Sequence, residues 1–228
     1  MVKNDIVLST ARASLGVQLV FTGVTAGALF VTIPDEYEIL RDIAILETVS
    51  QIIEFVWYAL VVFHFRTIRT WTRYLDWYLS TPTMLISTIA FFVMVRRRRE
   101  DPAADEYGRL GDLVSPSNFG WTMTILLLNQ MMLTCGLLVE TCVIPQVVGL
   151  STGFALFVGE FMIIYGAFSI YARQTGLILF MFVFIVWGFY GIAATFPNTS
   201  KNVAYNMLDI VSKNFYGAFI FAYTLSLT

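Results

Sequence analysis

The chain has 228 residues, of which 57% are hydrophobic and 13% are charged, and its mean hydropathy is +0.72. A soluble globular chain usually carries about 25% charged residues, so this chain has too few polar side chains to cover a water-facing surface. Its formal net charge of −2 excludes a general nucleic-acid-binding protein, because no basic excess is present to neutralise phosphates. The composition predicts an integral, multi-pass membrane protein surrounded by lipid.

Seven apolar segments follow one another along the chain, each close to the roughly 20 residues that a membrane-crossing helix needs. They are placed at 8–32, 39–64, 71–95, 119–142, 147–171, 176–197 and 203–226. Polar or proline-containing breaks separate them, such as His64, Phe65 and Arg66 after the second segment. The sequence predicts an all-α membrane protein, a single domain over 1–228 with seven transmembrane helices.

The distribution of basic residues predicts the orientation of this bundle. Lysine and arginine accumulate in cytoplasmic loops, and the densest cluster, Arg96 to Arg99, follows the third segment. Arg66, Arg69 and Lys201 form smaller groups on the opposite side. We therefore expect the N-terminus outside and the C-terminus inside. The first segment lacks a signal-peptide cleavage pattern and is expected to be retained, and the loop 100–117 is expected to be polar and flexible.

Metal-binding side chains are scarce. The chain has one histidine, His64, and two cysteines, Cys135 and Cys142, seven residues apart in or beside one apolar segment. A histidine-based zinc or haem site needs more ligands than one histidine can supply, and the cysteine spacing fits neither a zinc-ligand set nor a disulfide framework. We expect no metal site, and we do not expect an enzyme.

Ionisable residues inside the segments are costly in lipid and are functional candidates for that reason. They are Glu47, Glu54, Arg73, Asp76, Glu140, Glu160, Asp209 and Lys213. Glu140 is expected in water at a helix end, and Glu160 has no assigned role. Asp209 and Lys213 are four residues apart and share one helix face. Their spacing leaves two interpretations open: a structural ion pair, or a desolvated lysine available for Schiff-base chemistry.

Motifs in several segments together favour the second interpretation. The third segment carries Arg73, Asp76, Trp77 and Ser80 along one stripe before Thr81 and Pro82, the seventh carries Asp209 and Lys213, the sixth carries Trp187 and Tyr190, and the fourth carries Asn129, Met132 and Gly136. This set resembles the microbial rhodopsins, and the resemblance covers essentially all seven segments.

The resemblance implies a chromophore site. Lys213 would bind all-trans retinal as a protonated Schiff base, with Asp76 and Asp209 as its two counter-ions. Arg73 would compensate the surplus negative charge. The remaining implied contacts are Trp77 and Trp187 against the polyene, Tyr58 and Tyr190 as hydrogen-bond donors to Asp209, Met84 as an apolar contact suggesting green absorption, and Met132 and Gly136 around the ring.

Departures from the family pattern bear on the mechanism. Proton pumps of the family often carry a carboxylic acid where this chain has Ser87, and Ser80 stands in place of a threonine. Serine cannot donate a proton near neutral pH, so a fast, self-contained proton pump is not expected. Asp76 argues against a chloride pump, because chloride pumps of the family replace this aspartate with a neutral residue.

The second segment carries a polar stripe of Glu47, Gln51 and Glu54 on one face. Such a stripe either lines water or is a packing face satisfied by neighbouring helices. Glutamates at this spacing, with Asn214 directly after the lysine, resemble channelrhodopsins, in which Glu54, Asn214 and Ser14 would form a central gate. The compact chain is most similar to the viral rhodopsins of giant algal viruses.

Three functions remain open from the sequence. The preferred one is a light-gated cation channel, and the alternative is a light-driven outward proton pump with Asp76 as proton acceptor. The third is a photosensor that signals through a partner. A homo-oligomer, either a trimer or a pentamer, is usual for the family and is expected here.

Overall fold

The computed structural model describes residues 2–64 and 69–228, so Phe65 and Arg66 of the expected second break lie outside it. The described residues form helices and turns without a strand. The helices are α1 (Val2–Gly27), α2 (Ile39–Phe63), α3 (Arg73–Glu100), α4 (Phe119–Glu140), α5 (Gln146–Ala167), α6 (Arg173–Ala193), α7 (Asn198–Asp209) and α8 (Phe215–Leu225). A π-helical turn, Ile210–Asn214, joins α7 to α8 without a break. The predicted seven-helix bundle is confirmed, with α7, the π turn and α8 together forming the seventh helix.

The bundle has the dimensions of a membrane protein. Within the described part of the chain, six helices are long and apolar enough to cross a bilayer. The seventh is divided by its π turn, but residues 198–225 at 1.5 Å per residue still cover about 42 Å. A hydrocarbon core is about 30 Å thick. The protein is an integral membrane protein that crosses the bilayer several times.

The apolar and polar side chains are arranged as lipid requires. Large apolar residues such as Leu19, Leu127 and Met162 are exposed on the outside of the bundle. The interior differs between the two ends. Towards the end that carries Arg96–Arg99, called the arginine end below, Ile43, Phe91 and other apolar side chains are fully buried. The opposite end, called the far end, holds a cluster of buried polar groups around α7 that includes Arg73, Asn202 and Asn206.

The connection 101–118 differs from the expected flexible polar loop. The backbone N–H of Tyr107 donates to the carbonyl of Glu36 at 2.8 Å, and its ring packs edge-on against Tyr37 at 4.9 Å. Arg97 forms an ion pair with Asp112 at 3.1 Å. The expectation overlooked the buried aromatic ring of Tyr107, which fixes this connection against the α1–α2 turn.

The far end holds a buried ion pair that the sequence did not predict. Lys201 Nζ lies 2.6 Å from Glu140 Oε1, and the two side chains are only 6% and 10% exposed. The expectation that Glu140 is solvated is therefore wrong. Removing one partner of a buried pair leaves an uncompensated charge, whereas exposed pairs contribute little.

We predict that Lys201→Met lowers the free energy of unfolding by about 3–5 kcal/mol, because it leaves the Glu140 carboxylate buried without its cation. Glu100→Gln is the control, since it removes an exposed partner of Arg96 and should cost less than about 1 kcal/mol. Thermal melting in detergent compares the two variants. Equal melting temperatures would show that the buried pair contributes no more than the exposed one.

Candidate functional site

A cavity lies between α3, α4, α5, α6 and the π turn, and its wall is mostly apolar. Every residue that the sequence resemblance assigned to a chromophore lines it: Trp77, Met84, Met132, Gly136, Trp187, Tyr190 and Lys213. Trp77 and Tyr190 meet edge to face with their ring centroids 5.6 Å apart. The cavity is thus a slot between aromatic side chains with one ionisable lysine in its wall.

Two glycines keep this slot open. A Cβ at Gly136 would overlap the Tyr74 hydroxyl, and a Cβ at Gly191 would overlap the Phe154 ring. Both glycines line the cavity, so side chains there would close it from α4 and α6. The wall fits a long, apolar, conjugated ligand, because its aromatic faces are flat and it contains few polar atoms.

Lys213 is 2% exposed and sits in the π turn. Its Nζ donates to Asp76 Oδ2 at 2.8 Å and lies 3.5 Å from Glu54 Oε1. The second carboxylate near Lys213 is therefore Glu54, whereas the resemblance implied Asp209.

Asp209 belongs to a separate cluster. It accepts hydrogen bonds from Tyr58 Oη at 2.6 Å and Tyr190 Oη at 2.7 Å, and it pairs with Arg73 Nη1 at 3.2 Å. The two tyrosines are those that the resemblance assigned to Asp209. Both carboxylate oxygens are satisfied, so this cluster holds α2, α3, α6 and α7 together.

The sequence analysis missed the other partners of Arg73. Asn202 accepts from Arg73 Nε at 3.1 Å, Asn206 accepts from Nη2, and the guanidinium lies 4.8 Å from the Trp57 ring centroid. The signal was present in the sequence, because Asn202, Asn206 and Asp209 recur at helical spacing on one face.

A file of buried polar groups runs between α1, α2, α3 and the seventh helix. Gln51 Nε2 donates to Thr25 Oγ1 at 2.8 Å, and the missing side chain of Gly217 makes room for this contact. Several atoms of the file are buried without a hydrogen-bond partner among the described residues: both amide atoms of Gln18, both carboxyl oxygens of Glu54, and single atoms of Glu47, Gln51, Asp76, Ser80, Asn214 and Tyr216.

The expected gate residues lie in this file but do not bond to one another. Ser14 Oγ donates to the backbone carbonyl of Asn206 at 2.9 Å, and Asn214 Nδ2 donates to that of Ile210 at 3.0 Å. Glu54 instead approaches Lys213. Any link between Ser14, Glu54 and Asn214 would have to pass through bridging water.

Ser87 occupies the position where proton pumps of the family often carry a carboxylic acid. Its hydroxyl donates a hydrogen bond to the carboxyl group of Glu47. Both side chains are fully buried. Glu47 lies on α2, so α2 supplies a carboxyl group at the position where α3 has only a hydroxyl. Sequence reasoning could not find this contact, because it joins residues forty positions apart on two helices.

A seven-helix membrane bundle around an aromatic slot that ends at a buried lysine is the architecture of a retinal-binding membrane protein. The model of the family described as bacteriorhodopsin-like protein matches residues 10–227. The chain belongs to this family of microbial rhodopsins, whose chromophore is retinal.

Solved structures with the same fold include three that cover nearly the whole chain. The viral rhodopsin OLPVRII has 23% identity and a TM-score of 0.80 over 97% of this chain and 99% of its own. A blue-light-absorbing proteorhodopsin from Med12 has 16% identity and a TM-score of 0.72, covering 96% and 97%. The light-driven proton pump of Coccomyxa subellipsoidea has 16% identity and a TM-score of 0.70, covering 95% and 96%. No curated protein matches the sequence.

We predict opposite effects for two glycine-to-alanine changes on α4. Gly120→Ala should stabilise the protein by about 0.5–1 kcal/mol, because nothing lies near its new Cβ and alanine favours helix. Gly136→Ala should destabilise it by about 1–3 kcal/mol, because the methyl group overlaps Tyr74, and should slow retinal uptake. For each variant, melting curves measure the stability, and the growth of the visible band after retinal addition measures retinal uptake. The proposed cavity wall would be wrong if Gly136→Ala took up retinal as quickly as Gly120→Ala.

Proposed function

We propose that the protein is a light-gated cation channel with retinal bound to Lys213 as a protonated Schiff base. Lys213 Nζ is the one amine among the cavity-lining residues. A protonated Schiff base needs a nearby negative charge, and Asp76 Oδ2 lies 2.8 Å from Nζ. Asp76 is therefore the main counter-ion, and Glu54 is the second carboxyl group beside it. Bound retinal would absorb light and isomerise, and the residues of the chain would couple this isomerisation to the opening of an ion path.

The observation that carries the channel proposal is the file of unpartnered polar atoms. Buried polar groups in proteins are nearly always hydrogen-bonded, to water where protein offers no partner. A row of such groups along α1, α2, α3 and the seventh helix therefore favours a hydrated path. This path begins at Asp76 and Glu54 beside the lysine and continues past Gln51 to Glu47.

The chemistry of the path favours cations. Its ionisable groups besides Lys213 are the carboxyl groups of Asp76, Glu54 and Glu47, and carboxylate-lined constrictions select cations over anions. The long α2 side chains reach into the path at intervals of about one helical turn, from Glu47 through Gln51 to Glu54.

The closed state is held by contacts at both ends of the path. Near the chromophore, Glu54 is attracted to Lys213 Nζ at 3.5 Å. Towards the arginine end, Ser87 donates to Glu47, and the fully buried Ile43, Phe91 and Ile220 fill the space beyond. Movement of Lys213 on illumination releases Glu54, and water entering past Glu47 completes the opening.

We predict a light-activated current that reverses sign with voltage and whose reversal potential follows an imposed cation gradient. Voltage clamp of retinal-supplied cells under two cation gradients measures it. Glu54→Gln should change the relative permeability of protons and sodium severalfold, because it removes an ionisable group from the path beside Lys213. Lys213→Ala is the control that should lack both the visible band and the current.

A current that stayed outward at every voltage would contradict the channel and support a pump. Asp76→Asn separates these cases further, because it should abolish pumping by removing the proton acceptor but need not close a channel. A visible pigment without current under either gradient would favour a photosensor.

One specific observation favours the pump as second candidate. The contact between Ser87 and Glu47 provides a buried carboxyl group on the arginine side of the lysine. Burying an unpaired carboxylate is costly, and within the described residues Glu47 has no ion-pair partner. Glu47 is therefore suited to hold a proton for the Schiff base, so Ser87 does not by itself exclude a pump.

In a pump of this kind, Glu47→Gln should slow recovery of the pigment after a flash at least tenfold, because protons must then come from bulk water. The control Thr48→Val lies on the same helix and loses only a hydrogen bond to the backbone carbonyl of Ala44, so it should recover normally. Ser87→Asp in the Glu47→Gln background should restore fast recovery. Unchanged recovery in Glu47→Gln, followed by flash photolysis, would remove Glu47 as donor.

A further inference from the structure

A groove opens on the outside of the bundle at the arginine end, between α3, the beginning of α4 and the end of α5. Its lining has an apolar and a polar part, with Val93, Met162 and Ile163 in the first and Arg96, Arg97 and Asn118 in the second. The polar residues lie where the helices end or begin, and the apolar ones lie about one helical turn deeper in the membrane. The groove is therefore amphiphilic along the direction in which the helices cross the bilayer.

The apolar part of the groove is open. Gly166 lines it, and a Cβ added there would have no atom within 4 Å. Met162, one turn before Gly166 on α5, is 69% exposed. No side chain of the described residues fills this depression, so in a membrane its apolar surface is covered by a hydrocarbon chain.

The polar part of the groove is held in place by Tyr171, which also lines it. The guanidinium carbon of Arg96 lies 4.8 Å from the centroid of the Tyr171 ring. Arg99 Nη1 donates a hydrogen bond to the Tyr171 carbonyl at 3.0 Å. Two arginine side chains are thus fixed on the groove side of α3, which lowers the entropy that they would lose on binding an anion.

The charge at this rim is positive. Arg96 Nε lies 2.8 Å from Glu100 Oε1, and Arg97 Nη2 lies 3.1 Å from Asp112 Oδ1. The other two arginines of the run have no carboxylate partner in the part of the chain that the structure describes. Both ion pairs are partly exposed and therefore weak. Each pair occupies one nitrogen of a guanidinium that has five N–H donors, so donors remain for a second acceptor.

We propose that this groove binds an anionic phospholipid from the leaflet at the arginine end. The phosphate accepts hydrogen bonds from Arg96 and Arg97, since guanidinium groups match phosphate oxygens in pairs. One acyl chain lies over Gly166 beside Met162. Trp121, which is 53% exposed and lines the groove, is of the type that contacts lipid headgroups at this level. The apolar part favours a lipid over a soluble phosphate. The groove shares no residue with the chromophore cavity or the proposed ion path.

Native mass spectrometry of the purified pigment tests the headgroup contacts. Phosphatidylglycerol should be retained about tenfold more than phosphatidylcholine, and Arg96→Gln and Arg97→Gln should each lower its retention about fivefold. Arg98→Gln is the matched control, because it removes the same charge from the same run. The Arg98 guanidinium lies 5.4 Å from the Tyr37 ring and bonds to Tyr223, away from the groove, so its loss should leave retention unchanged.

A second pair of variants tests the acyl-chain contact without changing charge. Gly166→Leu should lower phosphatidylglycerol retention about fivefold, because its side chain fills the open part of the groove. Gly23→Leu on α1 is the control, since its Cβ is equally free of neighbours and lies outside the groove. Phosphatidylglycerol should also raise the melting temperature of the pigment by about 3 °C, whereas soluble glycerol phosphate should not.

Three results would overturn the proposal: equal retention of the two lipids, an equal loss of retention in Arg96→Gln and Arg98→Gln, or unchanged retention in Gly166→Leu. The second would indicate a general effect of surface charge. Stabilisation by glycerol phosphate equal to that by phosphatidylglycerol would also overturn it, because the site would then bind an anion without the lipid. If an arginine variant forms no pigment, Gly166→Leu still decides, because it leaves every charge in place.

Discussion

Two cations buried in the interior of the helix bundle, Arg73 and Lys213, impose the main constraint on this structure. Neither can be accommodated at that depth without negative charge close by. Two separate ion pairs supply this negative charge, Arg73 with Asp209 and Lys213 with Asp76. Because the partners come from α3, α7 and the π turn, and hydrogen bonds extend each pair to its neighbours, charge compensation also fixes how these helices lie against one another.

The two pairs differ in how tightly they are held. Asp209 has both oxygens occupied by Tyr58, Tyr190 and Arg73. Among the described residues, Asp76 keeps one oxygen without a hydrogen-bond partner and Glu54 keeps both, although Glu54 Oε1 lies 3.5 Å from Lys213 Nζ. Fewer hydrogen bonds therefore hold the carboxyl groups beside Lys213 than hold the carboxyl group of Asp209 at the far end.

The motifs of α3, α4, α6 and the seventh helix predicted seven residues of the cavity wall, because residues in regular helices at known spacings share a face. The residues that α5 contributes to the wall, such as Phe154 and Phe157, were not predicted. Contacts between helices were harder to predict. Glu54, rather than Asp209, forms the second ion pair with Lys213, and this contact joins α2 to the seventh helix. The bond from Ser87 to Glu47 depends on the rotation of α2 against α3, which spacing within one helix does not specify.

Polar groups flank α3 on two sides, and the surroundings of the two sets differ. On the α2 side, Glu54, Gln51 and Glu47 follow one another along the helix from the lysine towards the arginine end. In the proposed channel, water and ions would move along this row. On the α4 side, a hydrogen bond joins Thr81 to Asn129, and the carboxyl group of Glu160 on α5 is buried near apolar side chains such as Phe157 and Ile164. A polar group enclosed by apolar side chains does not provide a path for ions. Pro82 lies in α3 between the two sides, and its missing backbone N–H removes one hydrogen bond of the helix at this level.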